Sequence, residues 1–371
     1  MKKYNIFRNI ALGALVVSSL SSCEDYLSLS NPNKTTVETF WTDLKDTKSG
    51  LYATYAALRN DYVLNIREEA WRSDLCWPGY GRPQPQNNAE GWNWYCQNYT
   101  NSTVAISSKW DALYISIWRA NQVIEALERI KDTVSGDEIE TWNIQMGHAR
   151  FIRGLMYFYL HSSFNNGSVV LRTSTAQSFN LPLSPAEDVL KFFREDLEVA
   201  YDLLPVPQDV TSDYEGLATK GTAATIQGIS YLYEKEYSEA EMKFKDVIDN
   251  YGYELEQDWT KMFTNAGEFN SESILEISYS LDYRQDITTW DMNCMYNRLA
   301  TLSTSLGGFL PAAWLVNEFL NDKPDNKDSR NTGRQVSLRA SAMVALVKDE
   351  VTPYYICLLY TSDAADDMQC V

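Results

Sequence analysis

Apolar side chains that recur every three or four residues over long stretches constrain this chain most, because that spacing gathers them on one face of an α-helix. Trp110, Leu113, Ile117, Ala120, Ile124 and Leu127 step in this way, and so do Trp142, Met146, Ala149, Ile152, Met156 and Leu160. Each stripe predicts a helix with one side in a core. A third stripe, from Val189 through Phe193 and Leu197 to Leu204, comes with boundaries. Ser184-Pro185-Ala186-Glu187 has the pattern of a capping box with proline at the first helical position, and Pro205 and Pro207 end the run. Ser238-Glu239-Ala240-Glu241 repeats the box ahead of a fourth helix. Between these, Leu275, Ile277 and Tyr279 alternate with polar residues, which predicts a short strand or extended segment.

Helices of this kind can be arranged as repeats of about 34 residues, with G-x-x-Y in the first helix and A-x-x-x-F in the second. Gly228-Ile229-Ser230-Tyr231 is followed at that separation by Ala240-Glu241-Met242-Lys243-Phe244. Residues 221–252 therefore read as one complete repeat, with Gly228 and Ala240 where the two helices cross and Tyr231 and Phe244 filling the space beside them. Gly154-Leu155-Met156-Tyr157 matches a first helix without its partner. The fold class expected is mainly α: a tetratricopeptide-like helical-repeat scaffold with long irregular aromatic-rich loops and little β.

Two stretches lose the helical period and stay aromatic. From Trp71 to Tyr99 the chain holds Trp77, Tyr80, Trp92, Trp94 and Tyr95 among prolines and glycines, and a second stretch holds Tyr283, Arg284, Trp290 and Asp291. Stacking and hydrogen-bonding groups lie side by side in both.

The N-terminus carries Lys2, Lys3 and Arg8, an apolar run from Ile10 to Leu20, and Leu20-Ser21-Ser22-Cys23. That is the layout of an export signal, too short to span a bilayer. Its last four residues resemble a lipobox, which makes residues 1–22 the signal peptide and Cys23 the lipid-anchored mature start. The acidic Glu24-Asp25 resembles the retention or surface-export signals of outer-membrane lipoproteins. A net charge of −18 argues against nucleic acid, which needs clustered lysine and arginine. Of the six cysteines, Cys23 is assigned to lipid and Cys357 and Cys370 lie in the tail. Cys76 and Cys96 flank the first aromatic stretch in an oxidising compartment and are expected to pair. No metal site is expected: His148 and His161 fall in a helical segment, and Asp322, Asp325 and Asp328 lack the glycine of a calcium loop and read as a solvated turn. No cofactor is expected either. Residues 345–371 resemble translated sequencing-adapter read-through and are expected to be non-native.

Several blocks in order resemble the SusD/RagB family of outer-membrane nutrient-binding lipoproteins. They are Cys23 to Leu27, Trp110 to Asn121, Ala149 to Phe158, Ala186 to Pro205, Asp246 to Tyr253, and Gly307 to Pro311 running into Trp314-Leu315-Val316. The resemblance implies a helical domain over residues 23–344, incomplete at its C-terminus. It also implies an oligosaccharide ligand, an outer-membrane lipid anchor, a SusC-like TonB-dependent transporter as partner, and no catalytic residues.

A sugar ring offers an apolar C–H face and a rim of hydroxyls, so its receptor sets a flat aromatic beside polar side chains. Trp77, Tyr80, Trp92, Asn93, Trp94, Tyr283 and Trp290 are the glycan-binding candidates. For any one tryptophan, packing onto the scaffold is the commoner outcome; as a set they are expected to include a binding ring. Trp110, Trp118, Trp142 and Trp314 lie in helical runs and are expected in the core. The competing readings are a glycoside hydrolase, whose two carboxylates nothing in the sequence marks, and a structural partner of the transporter without a ligand of its own.

Overall fold

The apolar stripes fold as helices where their spacing places them. A computed structural model describes residues 40–78, 89–178, 180–258, 267–277 and 310–343. The first two long stripes form α5 (Val104–Ile130) and α6 (Glu138–Ser163), preceded by α1 (Leu44–Ala56), α2 (Asp61–Leu64), α3 (Ile66–Arg72) and α4 (Ala89–Tyr95). After them come α7 (Ala186–Leu203), α8 (Lys220–Tyr233), α9 (Tyr237–Asn250), α10 (Ala313–Asn321) and α11 (Leu338–Met343). The signal segment, Cys23, Cys294 and the tail lie outside the described residues.

Neighbouring long helices run in opposite directions. Between α5 and α6, Trp142 Nε1 donates to the Leu127 carbonyl, Arg153 to Asn121, and Tyr157 meets the Tyr114 ring, so the contacts descend one helix as they climb the other. The same progression links α6 to α7 and α8 to α9. Helix α6 is the centre: α1, α5 and α7 all pack on it, and it buries residues from Trp142 to Leu160 on nearly every side. Its glycines let α7 approach closely. A Cβ at Gly154 would lie 3.0 Å from Leu197 Cγ and 3.2 Å from the Phe193 carbonyl oxygen. The expected repeat forms in the same way, for a Cβ at Gly228 would lie 2.6 Å from the Phe244 ring, and Ala240 is buried at the crossing.

Helix starts depart from the sequence patterns. Pro185, not Ser184, stands at the cap of α7, and no side chain caps it; Ser184 is instead bonded through its own backbone to Val169 and Ser168. Helix α9 begins at Tyr237, ahead of Ser238, again without a capping bond. A capping box does form at α8, between Thr219 and Thr222. No strand forms in 267–277, where Leu275 and Ile277 pack against the main core. The described residues pair as strands only where β1 (Cys76–Trp77) meets β2 (Leu310–Pro311), antiparallel. Trp142 is buried and Trp110 packs against the core, but Trp118 and Trp314 are each 50% exposed, because a helical run does not say which of its faces is covered.

His148 sits in the middle of α6, fully buried between the Tyr55 and Tyr214 rings. Tyr55 Oη accepts from the Ala218 N–H and so donates to His148 Nδ1 at 2.8 Å, which leaves the ring proton on Nε2 without an acceptor. Burial holds the ring neutral, its pKa pushed down to about 3 against about 6.5 unfolded. The unfolded chain therefore gains a proton that the folded chain refuses: stability is full above pH 6.5 and falls as pH drops toward 3. Between pH 6.5 and 4.5 this group is expected to remove about 2 to 3 kcal/mol. Urea titrations of wild type and His148→Asn over that range check it, the variant showing the shallower loss; equal slopes would contradict a buried neutral ring.

Candidate ligand-binding surface

The first aromatic stretch divides into an interior half and an exposed half. Helix α3 ends at Arg72, a turn with Asp74 at φ +66° leads into β1, and α4 carries Trp92, Trp94 and Tyr95. Trp92 to Tyr95 were expected in a loop; they form a helical turn instead, with a different distribution of side chains. Trp94 points inward, 4% exposed, into a cluster with Trp71 and Ala105, and stacks on Tyr99 at 4.2 Å and 22°. Its indole N–H is buried without a hydrogen-bond partner. Trp92 and Tyr95, one turn apart, share the other face and stack at 5.7 Å and 23°. Trp77 stands across both, at 5.5 Å and 73° to Trp92 and at 5.1 Å and 71° to Tyr95.

The three half-buried rings make a corner in which Trp92 and Tyr95 lie nearly parallel and Trp77 meets both at 71° to 73°, edge to face. Asn93, Gln97 and Asn98 are exposed on the same turn, and Gln97 adopts φ +57° to reverse the chain. These amides supply donors and acceptors without charge. Beneath, Arg72 pairs with Glu69 and Arg67 with the fully buried Glu68, with the Arg67 guanidinium over the Trp71 ring at 5.0 Å. Lys109, largely buried near these groups, has its pKa pushed down by that burial.

Of the candidates, the structure thus brings Trp77 and Trp92 together, leaves Asn93 exposed beside them, and takes Trp94 into the interior. Tyr80, Tyr283 and Trp290 lie outside the described residues. Tyr95 belongs to the corner, and its i, i+3 spacing from Trp92 was the available signal. Two clefts of about 470 Å³ each share no lining residue with the corner. The first is walled largely by apolar groups such as Leu58, Val63, Leu155 and Ile226, with Thr222, Thr225, Glu272 and Ser273 at its polar side.

Cys76 and Cys96 are free thiols, against the expected disulfide. Cys76 faces the Trp71 and Trp94 cluster, whereas Cys96 is exposed beyond the end of α4. Among the described residues no group of three or more His, Cys, Asp or Glu is placed to hold a metal. Asp322 accepts from Ser337 Oγ and Arg339, Asp325 from the Lys327 N–H, and Asp328 from Arg330, so the three aspartates support turns.

Burial raises the Cys76 thiol to about 11. At pH 8, iodoacetamide is therefore expected to modify Cys96 and spare Cys76 until the protein is unfolded. Peptide mapping by mass spectrometry reads the outcome, and equal labelling of the folded protein would contradict the placement.

A model for SusD-like proteins, described as "Starch-binding associating with outer membrane", matches residues 25–228. The SusD-like protein P38 of Formosa agariphila is 28% identical over 309 residues, covering 77% of this chain and 56% of its own length. The SusD-like protein P25 of the same organism is 21% identical over 338 residues, covering 87% and 61%. The chain thus spans less than two thirds of the length of each of these relatives. Among solved structures, a SusD superfamily protein from Bacteroides vulgatus superposes with a TM-score of 0.62 at 24% identity, over 80% of this chain and 62% of that one. A laminarin-binding SusD-like protein gives 0.55 at 24% identity, over 64% and 51%. The architecture of these proteins is the helical, tetratricopeptide-like one described above.

Proposed function

The chain belongs to the SusD-like family, and from that premise we propose that it captures oligosaccharide at the bacterial surface through the corner of Trp77, Trp92 and Tyr95 and delivers it to a TonB-dependent outer-membrane transporter. The corner is the observation that carries the reading. Partly exposed rings would stack on the C–H face of a sugar, and the exposed amides of Asn93, Gln97 and Asn98 beside them would meet its hydroxyls. The family's description as starch-binding and the laminarin-binding protein of the same fold support a glycan as the ligand class. The net charge of −18 favours a neutral glycan over an anionic one. Tyr80, Tyr283 and Trp290 remain proposed as further contacts.

The corner would capture its ligand without turnover. A glycosidase needs two carboxyl groups flanking the scissile bond, and no motif in the sequence marks such a pair. Calorimetry of the full chain against soluble starch, laminarin, xylan and mucin glycans tests the proposal. A ring that stacks on sugar is worth on the order of 1 kcal/mol beyond area burial, so Trp77→Ala and Trp92→Ala are each expected to weaken binding by about fivefold to tenfold with little change in melting temperature. Trp94→Ala should instead lower the melting temperature, since emptying a buried tryptophan site costs about 3 to 5 kcal/mol. Binding indifferent to both corner variants would remove the corner from the proposal, and shortened oligosaccharides in the cell would point to an enzyme.

The lipid anchor at Cys23 belongs to the same reading. No helix among the described residues is long and apolar enough to cross a membrane, and acyl chains on Cys23 would hold the protein at the surface, each buried CH₂ contributing about 0.8 kcal/mol. Cys23→Ala is expected to shift the protein to the soluble fraction and abolish palmitate labelling; retention of both would refute the anchor.

A further inference from the structure

We infer that Trp314 is a positioning residue for the ligand corner, holding the Trp77 wall in place through the backbone that leads into it; this rests on the corner being the binding site. The Trp314 indole N–H donates to the Asp74 carbonyl at 3.0 Å. The Ala312 N–H donates to the Leu75 carbonyl at 2.8 Å, Cys76 pairs with Pro311, and Trp77 pairs with Leu310. Four consecutive residues, Asp74 to Trp77, are therefore held by the segment 310–314.

That clamp is thin without Trp314. A two-residue strand is far below the usual five or six, and Pro311 has no N–H to give the ladder. Asp74 sits at φ +66°, in the left-handed region that a residue with a side chain adopts less readily than glycine. Its backbone thus needs an outside tie to keep the turn, and the tie comes from the one polar group an indole has. Trp314 is half exposed, and α10, on which it lies, has no buried residues. Core packing does not fix α10. Polar bonds do, with the Asp322 carboxylate at its C-terminal end accepting from Ser337 Oγ at 2.6 Å and from Arg339 at 2.8 Å. The position of Trp77 is accordingly set from a segment more than 230 residues further along the chain.

5-Fluorotryptophan incorporated into the full chain gives each indole a fluorine resonance, and Trp77→Phe identifies that of Trp77. Trp314→Phe keeps an aromatic ring and removes the N–H alone. It is expected to shift or broaden the Trp77 resonance with the melting temperature nearly unchanged. Amide exchange at Ala312 should rise about two- to tenfold, the factor that corresponds to one hydrogen bond's net contribution. Binding of soluble starch or laminarin should weaken several-fold. A Trp77 resonance that Trp314→Phe leaves unmoved overturns the inference, whether or not either glycan binds. A displaced resonance with unchanged affinity for a glycan that does bind also overturns it, since the wall's position would then be without consequence. Should Trp92→Ala bind such a glycan as wild type does, the corner's assignment falls instead, while the hold of Trp314 on Trp77 is still read from the resonance.

Discussion

Arg153 sets how the three long central helices stand relative to one another. From the middle of α6 its guanidinium makes two parallel bonds to Asp196 on α7, at 2.7 and 2.8 Å, and a third to Asn121 on α5 at 2.8 Å. Arg150 adds a bond to the same carboxylate, and the Phe192 ring lies against the guanidinium. Arg153 and Asp196 are both almost wholly buried. Such a pair is a poor source of net stability, because stripping water from two charges roughly cancels their attraction; removing one partner, however, costs about 3 to 5 kcal/mol. Its effect is therefore on register. Apolar stripes tolerate a slip of one turn, since another apolar side chain arrives in the same place, whereas a planar fork aimed at one carboxylate does not. Asn121 and Tyr157 extend the constraint to the chain at Arg172, fixing the connection between α6 and α7 against the same core.

That division of labour explains what could be read in the sequence. The stripes from Trp110 to Leu127 and from Trp142 to Leu160 gave the helices and their buried faces because hydrophobic periodicity is a property of the sequence itself. The crossing at Gly228 and Phe244 was legible too, since only a missing side chain lets two helices approach so closely. The caps were not. A Ser-x-x-Glu pattern is a capping box only if the serine's backbone is free to start the helix, and Ser184 is already bonded to residues 168 and 169. The box that does form uses threonine at its fourth position, outside the usual pattern. Trp314 departs from expectation for a related reason: the apolar residues of α10 are at most half-buried, and Trp314 lies on its more exposed side.

The aromatic corner depended on a choice of period. In an extended chain residues two apart share a side, which groups Trp92 with Trp94. In a helix residues two apart are separated by about 200°, and those three apart by about 60°, which groups Trp92 with Tyr95 and sends Trp94 the other way. The structure shows the second arrangement. Seven residues with Gly91 among them carried too little periodicity to make that choice in advance, and Trp77 could be brought to the same place only by a strand partner that lies beyond residue 300.

A helix as short as α4 does not hold itself together in water, because nucleation is costly and few backbone bonds repay it. Burial of Trp94 between Trp71 and Tyr99 is what keeps it formed, and the unpaired indole N–H shows that the ring is there for its area rather than for its hydrogen bond. The position of Trp92 follows from that anchor through two residues of rigid backbone. Trp77, set across that pair, depends in addition on polar bonds along a two-residue strand. The two sides of the corner therefore differ in stiffness: one is set by packing and resists displacement, while the other can give way slightly at the loss of single hydrogen bonds. The loss of a single hydrogen bond is therefore felt at Trp77 before it is felt at Trp92.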